Sequence, residues 1–219
     1  MSMNKKISWR RVVSIILIVW AAINIAIHYS NNNPQSALWF CNTIIILMAI
    51  GLWLNNKAIL SSAAISYLLF GIVWALDIVS WLITGSFFLN IIIYFASSTP
   101  LLKIVTSYHL LLLAISLWFI IKEKKIHRHA WIISSFHLLA ISIITMYATN
   151  ANVNCVHEIC NLGKLSFIYS LRPSFVPLVI FNWVAFTVAG FIPVQIVLNL
   201  VKSRRVQYKE RSLTHKTAP

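Results

Sequence analysis

Six apolar runs, 17 to 27 residues long and separated by short polar or charged stretches, decide what this chain can become. They are Val12 to His28, Ala37 to Leu54, Ile59 to Ile83, Leu101 to Ile121, Ala130 to Ala148 and Phe175 to Val201. A helix needs about 20 apolar residues to cross the hydrocarbon of a bilayer, so each run reads as a membrane span. Hydrophobic residues make up 59% of the 219 and charged residues 10%, too little polar surface for a water-soluble domain. The expectation is an all-α, polytopic membrane helical bundle forming one transmembrane domain over residues 1–219.

A seventh apolar stretch, Phe87 to Ser97, has eleven residues between Gly85 and the Ser-Ser-Thr-Pro sequence at 97–100. It is too short for an ordinary span and reads as a re-entrant or interfacial piece. The basic residues support that choice, because each added crossing inverts everything after it. With six spans and no crossing at 87–97, fifteen of the eighteen Lys and Arg fall on one face, leaving Lys103, Lys164 and Arg172 on the other. This predicts both termini in the cytoplasm, with a basic N-terminus at 1–11, a basic tail at 202–219 and an extracytoplasmic loop at 149–173. A bacterial inner membrane suits that pattern.

The formal net charge of +14 resembles that of a nucleic-acid binder, but its positions are those of cytoplasmic flanks beside anionic headgroups. Membrane lipids are therefore the expected partners, and nucleic acid is not. The first run follows Lys5, Lys6, Arg10 and Arg11 as a signal peptide would, yet Ser30-Asn31-Asn32-Asn33-Pro34 lacks a small-x-small cleavage site, so it reads as a retained helix. Trp9, Trp39, Trp81 and Trp131 lie at or near span ends and serve as interfacial anchors.

Ionisable and thiol groups at membrane depth are costly, which makes them the functional pointers. At about 1.5 Å per residue, Cys41 lies about 6 Å, Asp77 about 9 Å and His109 about 12 Å from the outer ends of their spans. Three helices thus bring a thiol, a carboxylate and an imidazole to one layer. Asn24, His28, Asn42 and Thr145 stand at similar depth. His137 reads as a packing or interhelical hydrogen-bond residue, and His127, His129 and His215 belong to solvated flanks. In the 149–173 loop, Cys155 and Cys160 fit a disulfide in an oxidising compartment, or with His157 a three-ligand metal set, and the disulfide is the preferred reading. No cofactor and no metal are expected.

Trp39-Phe40-Cys41-Asn42 at the start of a span, Ser107-Tyr108-His109 in a later one and Asn152-Val153-Asn154 after the fifth resemble, in order, the bacterial YwaF-like membrane proteins and the animal transmembrane protein 164 family. Trp39 stands where that family usually carries a histidine. The resemblance implies a cysteine-dependent acyltransferase acting on phospholipids. On that reading Cys41 takes the acyl group, His109 is the general base and then acid, Asp77 holds the His109 tautomer, and Asn42, Asn152 or Asn154 steadies the oxyanion. His28 would line the same cavity. The competing readings are a small transporter or channel with Asp77 as its proton or cation site, and a non-enzymatic membrane scaffold.

Overall fold

The computed structural model describes residues 8–90, 92, 94–123, 126–150, 153–158 and 169–203, and among them every regular element is helical. In chain order these are α1 (Trp9–Ser30), a 3₁₀ turn (Pro34–Leu38), α2 (Phe40–Trp53), α3 (Lys57–Thr84), α4 (Tyr94–Ser97), α5 (Pro100–Thr106), α6 (Tyr108–Lys122), α7 (Ala130–Ala148), a short 3₁₀ piece (Val153–Cys155) and α8 (Leu178–Phe186). Helix α8 continues through a π-turn at Thr187–Phe191 to Ser203.

Among the described residues, five helical stretches are long and apolar enough to cross a membrane: Trp9–Ser30, Lys57–Thr84, Pro100–Lys122, Ala130–Ala148 and Leu178–Ser203. The expected second span is shorter than its apolar run. Pro34 opens a separate 3₁₀ turn and Trp39 leaves the helical region, so α2 keeps 14 residues, about 21 Å of rise. Among the described residues, the apolar stretch at 87–97 contributes the four-residue α4.

The polar punctuation explains where helices begin and end. Asn56 caps α3 by accepting from the amides of Ala58 and Ile59, at 2.9 and 3.2 Å. Gly85 closes the same helix at φ 71°, a left-handed conformation that glycine adopts without steric cost. Thr99 caps α5, with Pro100 in the first turn, where its missing N–H is not needed. The last helix begins at Leu178, three residues into its apolar run. Pro177 precedes α8, and Pro193, which has no N–H to donate to the carbonyl of Ala189, follows just after the π-turn.

Helix α3 is the centre of the bundle, with α2, α6 and α7 packed on it and α1 laid against α2. Leu17, Ile44, Met48, Leu60, Ala63, Ala64, Tyr67, Leu112 and Phe119 form the core. Because lipid is as apolar as leucine, burial alone does not join such helices, and small polar residues supply the specific contacts. Ser62 and Ser134 meet at 3.1 Å, Ser135 and Thr187 at 2.8 Å, and Ser14 donates to the Ala49 carbonyl at 2.8 Å. Ile15, Ile16, Val19, Leu76, Val79, Phe136, Val188 and Ile196 point outward as the lipid-facing surface.

One end of the bundle is tied by charge. Glu123, just after α6, pairs with Arg10 of α1 at 3.3 Å and Lys57 of α3 at 3.0 Å. Arg10 also donates to Asn55. Lys202, near the end of the last helix, is buried and donates to the carbonyls of Ile120 and Glu123, the latter at 2.6 Å. A cation on the last carbonyls of α6 suits the negative end of that helix. The starts of α1 and α3 and the ends of α6 and the last helix therefore share one end, which fits an even number of crossings between them.

Candidate functional site

The opposite end holds the three groups that the sequence brings to one depth. Cys41 sits in the first turn of α2, and that turn is fixed from a distance. Trp39 cannot cap with its side chain, so Asn154, from the loop after α7, supplies the missing acceptor: its Oδ1 takes the Phe40 amide at 2.7 Å. The Asn154 Nδ2 donates to the Leu38 carbonyl at 2.8 Å and to Thr145 Oγ1 at 3.3 Å. Asn154 has φ 57°, which asparagine tolerates better than most residues. The residue expected to steady an oxyanion thus has its amide engaged in shaping the Cys41 turn.

Cys41 is a free, partly buried thiol. The Tyr108 hydroxyl and the backbone amides of Cys41 and Asn42 lie within interaction range of its sulfur. Tyr108, buried at the start of α6, donates to Asn42 Oδ1, and Asn42 Nδ2 donates to the Ser36 carbonyl at 2.7 Å. Asn24 of α1 completes the group, its Nδ2 3.4 Å from Asn42 Oδ1. A phenol has one proton. While Tyr108 donates to Asn42 it can only accept from the thiol, and it can donate to the sulfur only by releasing Asn42.

His109 reaches this cluster because the helix breaks beside it. The Leu110 amide bonds to Ser107 at 3.0 Å instead of reaching back to Thr106. The freed Thr106 carbonyl is taken by His109 Nδ1 at 2.7 Å. A carbonyl can only accept, so Nδ1 carries the proton and Nε2 is the basic nitrogen. The imidazole packs against the Tyr108 ring at 4.2 Å between centroids and stacks on the Trp74 indole at 5.0 Å and 8°. Tyr67 fixes the same turn by donating to the His109 carbonyl at 2.7 Å.

Asp77 is fully buried one turn beyond Trp74 on α3. Its carboxylate accepts from the Leu89 amide at 2.6 Å and the Ile92 amide at 3.3 Å. It therefore fastens the segment between α3 and α5 to the bundle, and the Thr106 carbonyl occupies the His109 nitrogen that Asp77 was expected to hold. Cys41 and His109 meet through Tyr108, and Trp74 connects His109 to the turn that carries Asp77.

His28 lies four residues after Asn24 on the same face of α1, partly buried at the helix end. Asn152, Cys160 and the Cys155 side chain lie outside the described residues, so the oxyanion role of Asn152 and the Cys155–Cys160 pairing fall there as well. Among the described residues no group of three His, Cys, Asp or Glu side chains is arranged to hold a metal ion.

Two buried polar atoms near the cluster have no hydrogen-bond partner among the described residues: the Asn24 Oδ1 acceptor and the Trp74 Nε1 donor. Such atoms are uncommon in a native interior and mark unused binding capacity. Nearby, an open cavity of about 640 Å³ lies between the ends of α1 and α7 above the 3₁₀ turn, lined by Ile25, Tyr29, Pro34, Leu38, Ala148 and Thr149. Leu38, one of its lining residues, is three residues from Cys41.

Tyr108 and Trp74 are the residues that sequence reasoning passed over as site members. The available signal was a tyrosine directly before the span histidine; Trp74 was readable only as a packing residue.

The fold and the apolar helices define an integral membrane protein of the multi-pass helical class. No family model matches the chain, and no significant similarity was found to a curated protein or to a solved structure.

Proposed function

We propose that the chain is a six-span protein of a bacterial inner membrane, with both ends in the cytoplasm, that transfers or hydrolyses lipid acyl groups through a thioester on Cys41. Support for the topology comes from the Glu123 end, where the starts of α1 and α3 and the ends of α6 and the last helix meet through basic side chains. An N-in, C-in arrangement places that end in the cytoplasm, as the basic flanks require. Helix α2 is then the sixth span, lengthened by the 3₁₀ turn before it.

The observation that carries the chemistry is the convergence of the Tyr108 hydroxyl and two backbone amides on the Cys41 sulfur, with the His109 ring packed on Tyr108. A dry site disfavours a thiolate, and helix N-terminal amides and a phenol are the donors that would offset that cost. In the proposed first step His109 Nε2 takes the thiol proton as Sγ attacks the ester carbonyl carbon. Tyr108 turns its hydrogen from Asn42 Oδ1 to the sulfur, and Asn24 Nδ2 remains with Asn42. Trp74 Nε1 is the donor left for the carbonyl oxygen. When the tetrahedral intermediate collapses, the C–O bond to the lipid alcohol breaks and His109 returns its proton to the departing oxygen. Water or a second alcohol then attacks the thioester with His109 again as base, which restores the thiol.

The open groove between the ends of α1 and α7, whose lining mixes Ile25, Leu38 and Ala148 with Gln35, Thr149 and Asn150, is the proposed path for an acyl chain. Asp77 acts at one remove, by holding the segment that covers Trp74. The transport reading draws on a different feature, the helix break at Ser107 beside a buried histidine, since broken helices line many carrier sites.

Acyl exchange between phospholipids in proteoliposomes tests the assignment. Activity in the wild type that falls at least 100-fold in Cys41→Ser and in His109→Ala is the expected result. Exchange that survives both substitutions refutes it.

A further inference from the structure

The Glu123 end carries a second cavity, which the acyl-transfer proposal does not use. It is open, about 650 Å³ in volume, and lies where the start of α1 meets the α2–α3 turn. That size is within the range of small-molecule sites, roughly 300–1,000 Å³. Three cations line it, Arg10, Arg11 and Lys57, against one carboxylate, Glu123.

The charges there are not equivalent. Both ion pairs among the described residues go to Glu123, from Arg10 and Lys57, and neither involves Arg11. Arg11 instead lies over the Trp53 ring, its guanidinium carbon 5.7 Å from the centroid. That contact orients the guanidinium while leaving its charge unneutralised. Ser8 also lines the cavity and makes no side-chain bond to cap α1. The cavity thus offers an oriented cation, a hydroxyl and two partly neutralised cations. Half-exposed Trp53 and exposed Leu54 form an apolar rim beside them.

We infer that this cavity is a binding site for the phosphate headgroup of an anionic phospholipid, whose acyl chains run down the apolar surface beside α1 and α2. Guanidinium groups bind phosphate through paired hydrogen bonds, which lysine cannot reproduce. The apolar rim distinguishes a lipid from free phosphate, since only the lipid has chains to place against Trp53 and Leu54. The inference needs these helices to lie in a bilayer and is independent of the chemistry at Cys41. A bound lipid would tie the start of α1 to the α2–α3 turn.

Purified full-length protein in detergent, titrated with dioleoyl phosphatidylglycerol or dioleoyl phosphatidylcholine and read by native mass spectrometry, tests it. Inorganic phosphate and glycerol 3-phosphate serve as soluble controls. The wild type should retain phosphatidylglycerol at least fivefold better than phosphatidylcholine. In Arg11→Gln the phosphatidylglycerol affinity should fall roughly fivefold, the effect of one basic residue near an anionic surface, with phosphatidylcholine binding unchanged. Arg11→Lys, which keeps the charge without the planar fork, should fall between the two. Equal retention of the two lipids by the wild type overturns the inference. So does an unaltered preference in Arg11→Gln, or full displacement of the lipid by millimolar inorganic phosphate.

Discussion

Asp77→Asn separates the role that the structure gives this carboxylate from the one that its burial alone would suggest. Among the described residues, the carboxylate accepts the backbone amides of Leu89 at 2.6 Å and Ile92 at 3.3 Å. Hydrogen bonds to a charged partner contribute about 1.5–3 kcal/mol each, and the longer of the two lies at the weak end of that range or below it. Asparagine keeps one acceptor oxygen but turns an NH₂ toward the other amide, which leaves a buried donor facing a donor. The loss should be about 2 kcal/mol of local stability, or roughly 30-fold in the opening equilibrium of the segment after α3. Hydrogen exchange in lipid nanodiscs measures this directly. Protection at the Leu89 and Ile92 amides should fall by about that factor, while the amides of α2 keep theirs. On the acyl-transfer proposal, exchange should decline only partly, because His109 draws its orientation from Thr106. Unchanged protection at both amides would refute the account of Asp77 as a fastener. Loss of pH-dependent ion flux in Asp77→Asn, with unchanged protection, would instead favour the transport reading.

Other substitutions test neighbouring links. Asn154→Ala removes the acceptor for the Phe40 amide, and loss of such a cap costs about 1 kcal/mol; the modification rate of Cys41 by a small maleimide should change, while Asn154→Asp, which keeps the acceptor, should change it less. A Cβ on Gly71 would sit 2.5 Å from the buried Tyr67 ring, so Gly71→Ala should destabilise the protein by about 1–3 kcal/mol in denaturant titration. It should also weaken acyl exchange, because Tyr67 holds the His109 carbonyl. Lys202→Met should lower thermal stability in detergent by removing the cation from the last carbonyls of α6, and a Tm equal to wild type would count against that contact.

The helices of this chain were legible because hydropathy acts on every residue of a run at once. A stretch such as Val12 to His28 tolerates single exceptions, and its apolar character survives as α1. The charge asymmetry is the basis of the expected topology, and the ion pairs at Glu123 gather residues from distant parts of the chain at one end. The boundary of α2 was not legible, since Ala37 and Leu38 are as apolar as the residues of a helix, and only Pro34 and the extended backbone of Trp39 divide them from it. The expectation that Cys41, His109 and Asp77 share a depth followed from counting residues along each span. Their partners did not, because the groups that decide their roles are largely backbone atoms with no signature in the sequence. Asp77 bonds to the Leu89 and Ile92 amides and His109 to the Thr106 carbonyl. Asn154 illustrates the same limit: its residue type suits an oxyanion donor or a helix cap equally, and only the position of the Phe40 amide chooses between them.

The account stands most directly on the state of the Cys41 sulfur during turnover. Protein incubated with a phospholipid and quenched in acid should show, by intact mass spectrometry, an added acyl mass that maps to Cys41 and is released by neutral hydroxylamine, as a thioester is. Tyr108→Phe should reduce the rate of its formation, and Cys41→Ala should abolish the adduct. An adduct that persists in Cys41→Ala, or acyl exchange at full rate with no adduct on the wild type under single-turnover conditions, would contradict the central claim.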